Sequence, residues 1–192
     1  LVNLHFQPET IRRRFGDGSA LGLRLAYSFE PTLLGTAGGV GNVRHFFEGE
    51  SAFLVQYGDI LPDQPFGPLL TFHQDRRATV TMLVHQRPHS NSVVRFDAAG
   101  RVLQFLERPS ASIRQTVDSV WVNSGVYVCS PDVFPCIPPG QPSDFPRDVF
   151  PQLIPDGRLH AFPLSGYRCA IDSPERLADA QAALQEGRGH GG

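Results

Sequence analysis

Two places in this 192-residue chain combine residue types and spacing that could handle a phosphate. Asp59 follows the nearly continuous apolar run Ala52-Phe53-Leu54-Val55-Gln56-Tyr57, and Gly58 before it lets a ligand approach the backbone. A carboxylate at the end of a buried strand suits a hard divalent cation, Mg²⁺ above all, since magnesium is held by one or two carboxylates together with substrate phosphates. The same residue also reads as an ordinary turn aspartate at a strand end. The second place is Gly35-Thr36-Ala37-Gly38, a run of small residues opening a helix. Its backbone N–H groups could cradle a phosphate or hydrogen-bond the edge of a nucleobase. Taken by itself, that loop reads as tight packing of a helix on a sheet.

Other chemistries are excluded by counting. All 17 basic residues are arginine, so there is no lysine for a Walker A loop, a protein-kinase strand or a Schiff base. The arginine bias itself reads as a GC-rich genome. His85 and His89 stand at i, i+4, but Pro88 forbids the helix that would bring them onto one face. His5, His45, His73 and His160 are scattered and read as surface or satisfied core residues. Neither H-E-x-x-H nor G-x-S-x-G occurs, and Gly39-Val40-Gly41-Asn42-Val43-Arg44 lacks the third glycine of a dinucleotide fingerprint. Cys129, Cys136 and Cys169 have no C-x-x-C spacing, which argues against a disulfide framework or structural zinc and for a reduced, cytoplasmic setting. A net charge of -2 gives no pull toward nucleic acid or anionic membrane, and no apolar run nears the ~20 residues that cross a bilayer.

The elements that must position these residues alternate between strands and helices, the pattern of an α/β fold with a mainly parallel sheet. Helices are expected over 8–15, from 35 to about 47, over 68–74, 147–153 and 174–184, the last with Ser173 as N-cap and Pro174 at its first position. Strands are expected over 23–28, 52–57, 79–84, 92–96, 102–107, 119–129, 159–162 and 167–171. The 52–57 strand is expected to be central and buried, the 92–107 pair to form a hairpin through 97–100, and the 119–129 strand to break at Asn123-Ser124-Gly125. The proline-dense stretch 131–141 reads as a surface connection, and 187–192 as a disordered tail. The chain opens inside an element, Leu1-Val2-Asn3-Leu4-His5, which reads as the tail of a buried strand and suggests a fragment of a larger domain. In an open α/β sheet, ligands bind at the carboxyl ends of the strands.

Taken in order, several runs resemble the nucleotidylyltransferases that activate sugar 1-phosphates, the mannose-1-phosphate guanylyltransferase-like members in particular. They are Val2-Asn3-Leu4-His5, Glu30-Pro31-Thr32-Leu33-Leu34-Gly35-Thr36-Ala37-Gly38-Gly39, Phe53 through Leu61, Phe105-Leu106-Glu107-Arg108-Pro109, Val122-Asn123-Ser124-Gly125-Val126-Tyr127, and Gly166 through Glu175. The resemblance implies a Rossmann-like sheet in which Glu30 and Gly35, Thr36, Ala37 and Gly38 hold the nucleotide base. It makes Asp59 the ligand of a Mg²⁺ bridging phosphates and gives Glu107, Asn123 and Gly125 to the sugar. Arg108 takes the place of the family's usual lysine near the sugar phosphate, supplying the charge with added bidentate geometry. The reaction implied is attack of a sugar 1-phosphate on the α-phosphorus of a nucleoside triphosphate, with GTP and mannose 1-phosphate favoured.

Two departures bear on activity. The family's N-terminal G-G-x-G-T-R loop and first strand are absent from a chain that starts after them. The family's second metal aspartate, in a W-x-D-I-[GD]-[ST]-P-E run, falls here on Ala170 within Arg168-Cys169-Ala170-Ile171-Asp172-Ser173-Pro174-Glu175. Asp172 returns to the same strand face ~6.5 Å further on, where it either substitutes in part or serves as a turn residue before the Ser173 cap. The chain is therefore expected to form one nucleotidyltransferase domain over 1–186, with self-association left open and weak or no turnover as given. The rivals are a non-catalytic nucleotide-sugar-binding or regulatory subunit of the same fold and a metal-dependent glycosyltransferase. The second of these should show D-x-D where this chain has Asp59-Ile60-Leu61-Pro62-Asp63.

Overall fold

The computed structural model describes residues 1–88, 90–116 and 119–185, so His89 and the expected tail over 187–192 lie outside the described residues. The chain divides into two compact units. The first comprises Leu1–Gly49 with Phe134–Val149. In it β1 (Val2–Leu4) runs parallel to β2 (Tyr27–Phe29), with α1 (Pro8–Phe15) between them in sequence. The strand expected over 23–28 is thus confined to its end. Asp17, Gly18 and Ser19 instead form a turn, in which Leu23 and Leu25 bond back to Gly18 and Asp17.

Helix α2 (Gly35–Asn42) begins at the first glycine of the small-residue run, and a short 3₁₀ turn, Arg44–Phe47, follows it. Its glycines have a steric reason. Gly35 sits at φ +74, and a Cβ there would lie 2.7 Å from the Ser143 carbonyl oxygen. One on Gly38 would lie 2.9 Å from that of Gln141. Backbone 141–145 therefore lies against the start of the helix, at a separation that side chains would prevent.

The second unit comprises Glu50–Val133 and the chain from Phe150 onward. Its strands are β3 (Phe53–Gln56), β4 (Ile60–Pro62), β5 (Val80–Gln86), β6 (Ser92–Phe96), β7 (Val102–Glu107), β8 (Trp121–Cys129), β9 (Leu159–Pro163) and β10 (Arg168–Ala170). Its helices are α3 (Phe66–Arg76), α4 (Ala111–Thr116), α5 (Phe150–Leu153) and α6 (Pro174–Gln185). The main sheet has the order β3-β8-β5-β9. β8 is antiparallel to both β3 and β5, and β9 is parallel to β5. Three of the four strands thus run the same way, with β8 inserted against them. Two smaller antiparallel pairs, β6 with β7 and β10 with β4, complete the described strands of this unit.

β3 stands at one end of the four-strand order, and only Phe53 of its residues is buried while Leu54 is exposed. The central, wholly buried strand expected over 52–57 is corrected on this point: the deepest strands are β5 and β8. Their Val80, Met82, Leu83, Val84, Val126 and Tyr127 are inaccessible to solvent, and α3 seals one face with Leu69 and His73 one helical turn apart. His73 is the satisfied core histidine expected of it, with Nδ1 2.9 Å from the Thr81 hydroxyl. β8 does not break at Asn123-Ser124-Gly125; it bulges there, and its register against β5 shifts between Met82 and Val84. α4 and β4 had no signal in the sequence pattern.

Candidate functional site

In the second unit a cleft of about 370 Å³ opens among the β3–β4 turn, β4, the ends of β5, β6 and β7, β8, β10 and the start of α6. Asp59, Glu107, Asn123, Gly125 and Asp172, all singled out from sequence, line it. Asp59 lies in the turn between β3 and β4, and its carbonyl oxygen accepts from Ile171 N at 2.7 Å, which ties the end of β10 to it. Among the described residues no hydrogen bond or ion pair holds its carboxylate, so both oxygens are open to a ligand. Ala170 lines the same cleft and pairs across β10 and β4 with Ile60, one residue from Asp59. Where the resemblance implies a carboxylate, this cleft is thus bordered by a methyl group packed against the cluster of Ile60, Leu83 and Val126.

Asn123 organises the bulge of β8. Its Oδ1 accepts from Gly125 N at 3.0 Å, and its Nδ2 donates to the Tyr127 hydroxyl at 2.8 Å. Tyr127 in turn donates to the Tyr57 hydroxyl at 3.1 Å. Gly125 sits at φ +77, and a Cβ there would meet Ile60 and the Tyr57 ring at 3.1 Å. The glycine lets the strand bend and keeps one wall of the cleft low.

Asp172 is occupied: Arg176 Nη1 lies 2.7 Å from its Oδ1. Arg108 is not among the residues that line the cleft. It has φ +47, its side chain is 70% exposed, and its Nε is 3.8 Å from Glu107 Oε1. Arg108 thus stays outside the lining while its neighbour Glu107 belongs to it. The cations that do line the cleft are Arg87, Arg168 and Arg176. Sequence reasoning missed all three, together with His85 and Tyr57. The one available signal was Arg168, standing where the run it resembles has tryptophan.

The arginines shape the electrostatics. Burial and then the charge of Arg87 pull the Arg168 guanidinium below its ordinary value, and nearby Asp59 pushes the other way. Burial, followed by Arg168 and Arg87, lowers His85 to about 4. His85 is thus neutral at pH 7, with Nδ1 2.9 Å from the Ser124 hydroxyl. Among the described residues no group of three or more His, Cys, Asp or Glu could hold a metal ion by itself. Asp59 fits Mg²⁺ in the manner of a site completed by substrate phosphates, as one open carboxylate.

The residues expected at a base site lie in the first unit. Glu30 is buried, its Oε2 accepts from Leu34 N at 3.0 Å, and its Oε1 has no partner among the described residues. The free N–H groups expected at the start of α2 are mostly engaged. Ala37 N and Gly38 N both donate to the Ser143 carbonyl at 2.9 Å, and Thr36 N donates to Asp144 Oδ1 at 3.1 Å. A backbone cradle made of these three donors is corrected: they stitch 143–145 to the helix.

A family model described as nucleotidyl transferase matches residues 1–186. The chain is 32% identical over 203 residues to a mannose-1-phosphate guanylyltransferase of Mycobacterium tuberculosis, covering all of this chain and 55% of that protein. It is also 32% identical over 171 residues to a UTP–glucose-1-phosphate uridylyltransferase of Synechocystis, covering 82% of this chain and 43% of the relative. The chain thus spans about half the length of the curated relatives it matches. Among solved structures, a putative glucose-1-phosphate thymidylyltransferase from Bacillus anthracis superposes with TM-score 0.79 at 16% identity, over 96% of this chain and 76% of that one. HddC from Yersinia pseudotuberculosis gives TM-score 0.77 at 19% identity, over 95% and 76%. The α/β fold expected from the sequence is the fold these neighbours share, and with the family match over nearly its whole length the chain belongs to the nucleotidyl transferase family of sugar-1-phosphate nucleotidyltransferases.

Proposed function

We propose that the cleft lined by Asp59 joins a nucleoside triphosphate to a sugar 1-phosphate, with GTP and mannose 1-phosphate the first pair to try. A sugar-phosphate oxygen attacks the α-phosphorus, the bond from that phosphorus to the bridging oxygen breaks, and pyrophosphate leaves with the electron pair. The observation that carries this reading is the open Asp59 carboxylate in one cleft with Glu107, Asn123 and Gly125. Glu107 accepts hydrogen bonds from sugar hydroxyls, and the remaining N–H of Asn123 is available to donate. In the first unit, taken by itself, Oε1 of Glu30 has no partner among the described residues and suits the amino group of a nucleobase. Asp59 holds Mg²⁺ together with the phosphates, and the ion, when bound, neutralises their charge. Three free cysteines fit a reducing, cytoplasmic setting.

Turnover is expected to be slow, because Ala170 offers no second carboxylate and one lost electrostatic contact typically costs ~10²–10³ in rate. The test is pyrophosphate release from GTP, UTP or dTTP with mannose or glucose 1-phosphate and Mg²⁺. The expected order is Ala170→Asp above the natural chain and Asp59→Asn at background. Equal rates for Asp59→Asn and the natural chain would overturn the reading. The methyl of Ala170 and the pairing of Asp172 with Arg176 favour a second reading, a nucleotide-sugar-binding subunit without turnover. It predicts nucleotide-sugar binding and no pyrophosphate from any pair.

A further inference from the structure

Beside the larger cleft lies a smaller one of about 250 Å³, and the two differ in charge. Asp59, Glu107 and Asp172 line the larger, whereas no aspartate or glutamate lines the smaller. Its walls carry Arg87, Arg168 and Arg176, which also border the larger cleft, with His85 and Cys169 between them. The three guanidinium groups come from three separate elements. Arg87 directly follows β5, with its backbone N donating to Val120 O at 2.8 Å. Arg168 lies in β10 opposite Pro62. Arg176 lies in the first turn of α6, where its backbone N donates to the Ser173 hydroxyl.

Convergent cations without a carboxylate among them repel one another unless an anion joins them. Two local acids do so only in part: Asp172 takes a single nitrogen of Arg176, and Asp59 acts on Arg168 from nearby without an ion pair among the described residues. Arg168 adds a second sign: its Nε is buried and has no hydrogen-bond partner among the described residues. A buried guanidinium N–H without an acceptor is an uncommon vacancy for a donor built to meet oxyanions in pairs. Ala170 borders both clefts, so nothing larger than a methyl group projects from that position.

We propose that the cleft walled by Arg87, Arg168 and Arg176 binds a multiply charged phosphate oxyanion, a phosphate monoester or a diphosphate, without the help of a metal ion. Guanidinium forks suit this chemistry, since they match phosphate geometry and stay charged at any working pH. The site shares its three arginines with the neighbouring cleft, and its test uses neither nucleotide nor divalent metal.

The experiment is calorimetric titration of the full chain with inorganic pyrophosphate and with orthophosphate in EDTA. Saturable binding of one anion per chain is expected, weakening at least tenfold in Arg87→Gln and in Arg168→Gln. Arg168→Lys should keep the charge and lose the fork, falling between. Arg12→Gln, on α1 and paired with Glu9, should bind as the natural chain does. If Arg168→Gln melts early, the exposed Arg87 and the helix-borne Arg176 give Arg87→Gln and Arg176→Gln as the deciding pair. Competition identifies the source: displacement by mannose 1-phosphate marks a substrate phosphate, and its failure marks a diphosphate or a separate effector. No saturable binding in EDTA, or unchanged affinity in the arginine variants, would overturn the proposal, and either result leaves the reading of Asp59 standing.

Discussion

Arg176 holds Asp172 across one turn, with Nη1 2.7 Å from Oδ1. This pairing favours one of the two roles that sequence spacing left open for Asp172. A carboxylate already bound to a guanidinium is a poor second ligand for magnesium, and the residue acts as the lead-in to the Ser173 cap. Asp172→Asn is therefore expected to leave Mg²⁺-dependent nucleotide binding within about twofold. Both partners are roughly half exposed, so the melting curve should register no more than the ~0.2–1 kcal/mol of a surface pair. A loss of metal dependence in this variant would return Asp172 to the metal site.

Ala37 is completely buried in the first unit, so a bulky replacement there is a core substitution and not a test of base recognition. Ala37→Leu should cost ~1–3 kcal/mol by overpacking, read as a lower midpoint in urea. A variant of undiminished stability would mean that 141–145 can move away from α2.

Gly125 carries both the left-handed backbone of the β8 bulge and the low wall of the cleft. Gly125→Ala should lose ~1–2 kcal/mol for the backbone, with further loss from contact with Ile60 and Tyr57. Because Asn123 Oδ1 accepts from Gly125 N, sugar-phosphate binding should weaken in the same variant. Native affinity with lowered stability would separate the bulge from the site.

His85 makes stability depend on pH. Its folded value near 4 lies below the ordinary 6.5, because burial, Arg168 and Arg87 all oppose its charge. The unfolded chain binds the proton more readily, so stability is fully present above about pH 6.5 and is lost as pH falls toward 4. Buried His73 and His160, also lowered, act in the same direction. His85→Gln should flatten part of the decline in thermal midpoint between pH 6.5 and 4. An unaltered slope would mean that His85 accepts its proton without cost in the fold.

Much of this was legible in the sequence, for local reasons. α6 carried its own cap and first-turn proline, and the β6–β7 hairpin its Asp97–Gly100 turn, so both stood where expected. Asp59 could be named because it follows a strand, and Glu107 and Asn123 because the runs that hold them resemble those of the family. What stayed hidden depends on long-range pairing. Nothing in 119–129 says that β8 runs against its neighbours, and the cluster of Arg87, Arg168 and Arg176 exists only because β5, β10 and α6 meet. The N–H groups of Thr36, Ala37 and Gly38 looked free because their acceptors, Ser143 and Asp144, lie over a hundred residues away in the chain.

The central claim, that the cleft holding Asp59 and Glu107 receives the nucleotide-sugar, is tested most directly by calorimetric titration of the chain with GDP-mannose in Mg²⁺, beside Glu107→Gln. The account predicts saturable binding that weakens at least tenfold in the variant, with an unchanged melting midpoint. Equal affinity in the two proteins, or no binding of GDP-mannose, UDP-glucose or dTDP-glucose by the natural chain, would contradict it.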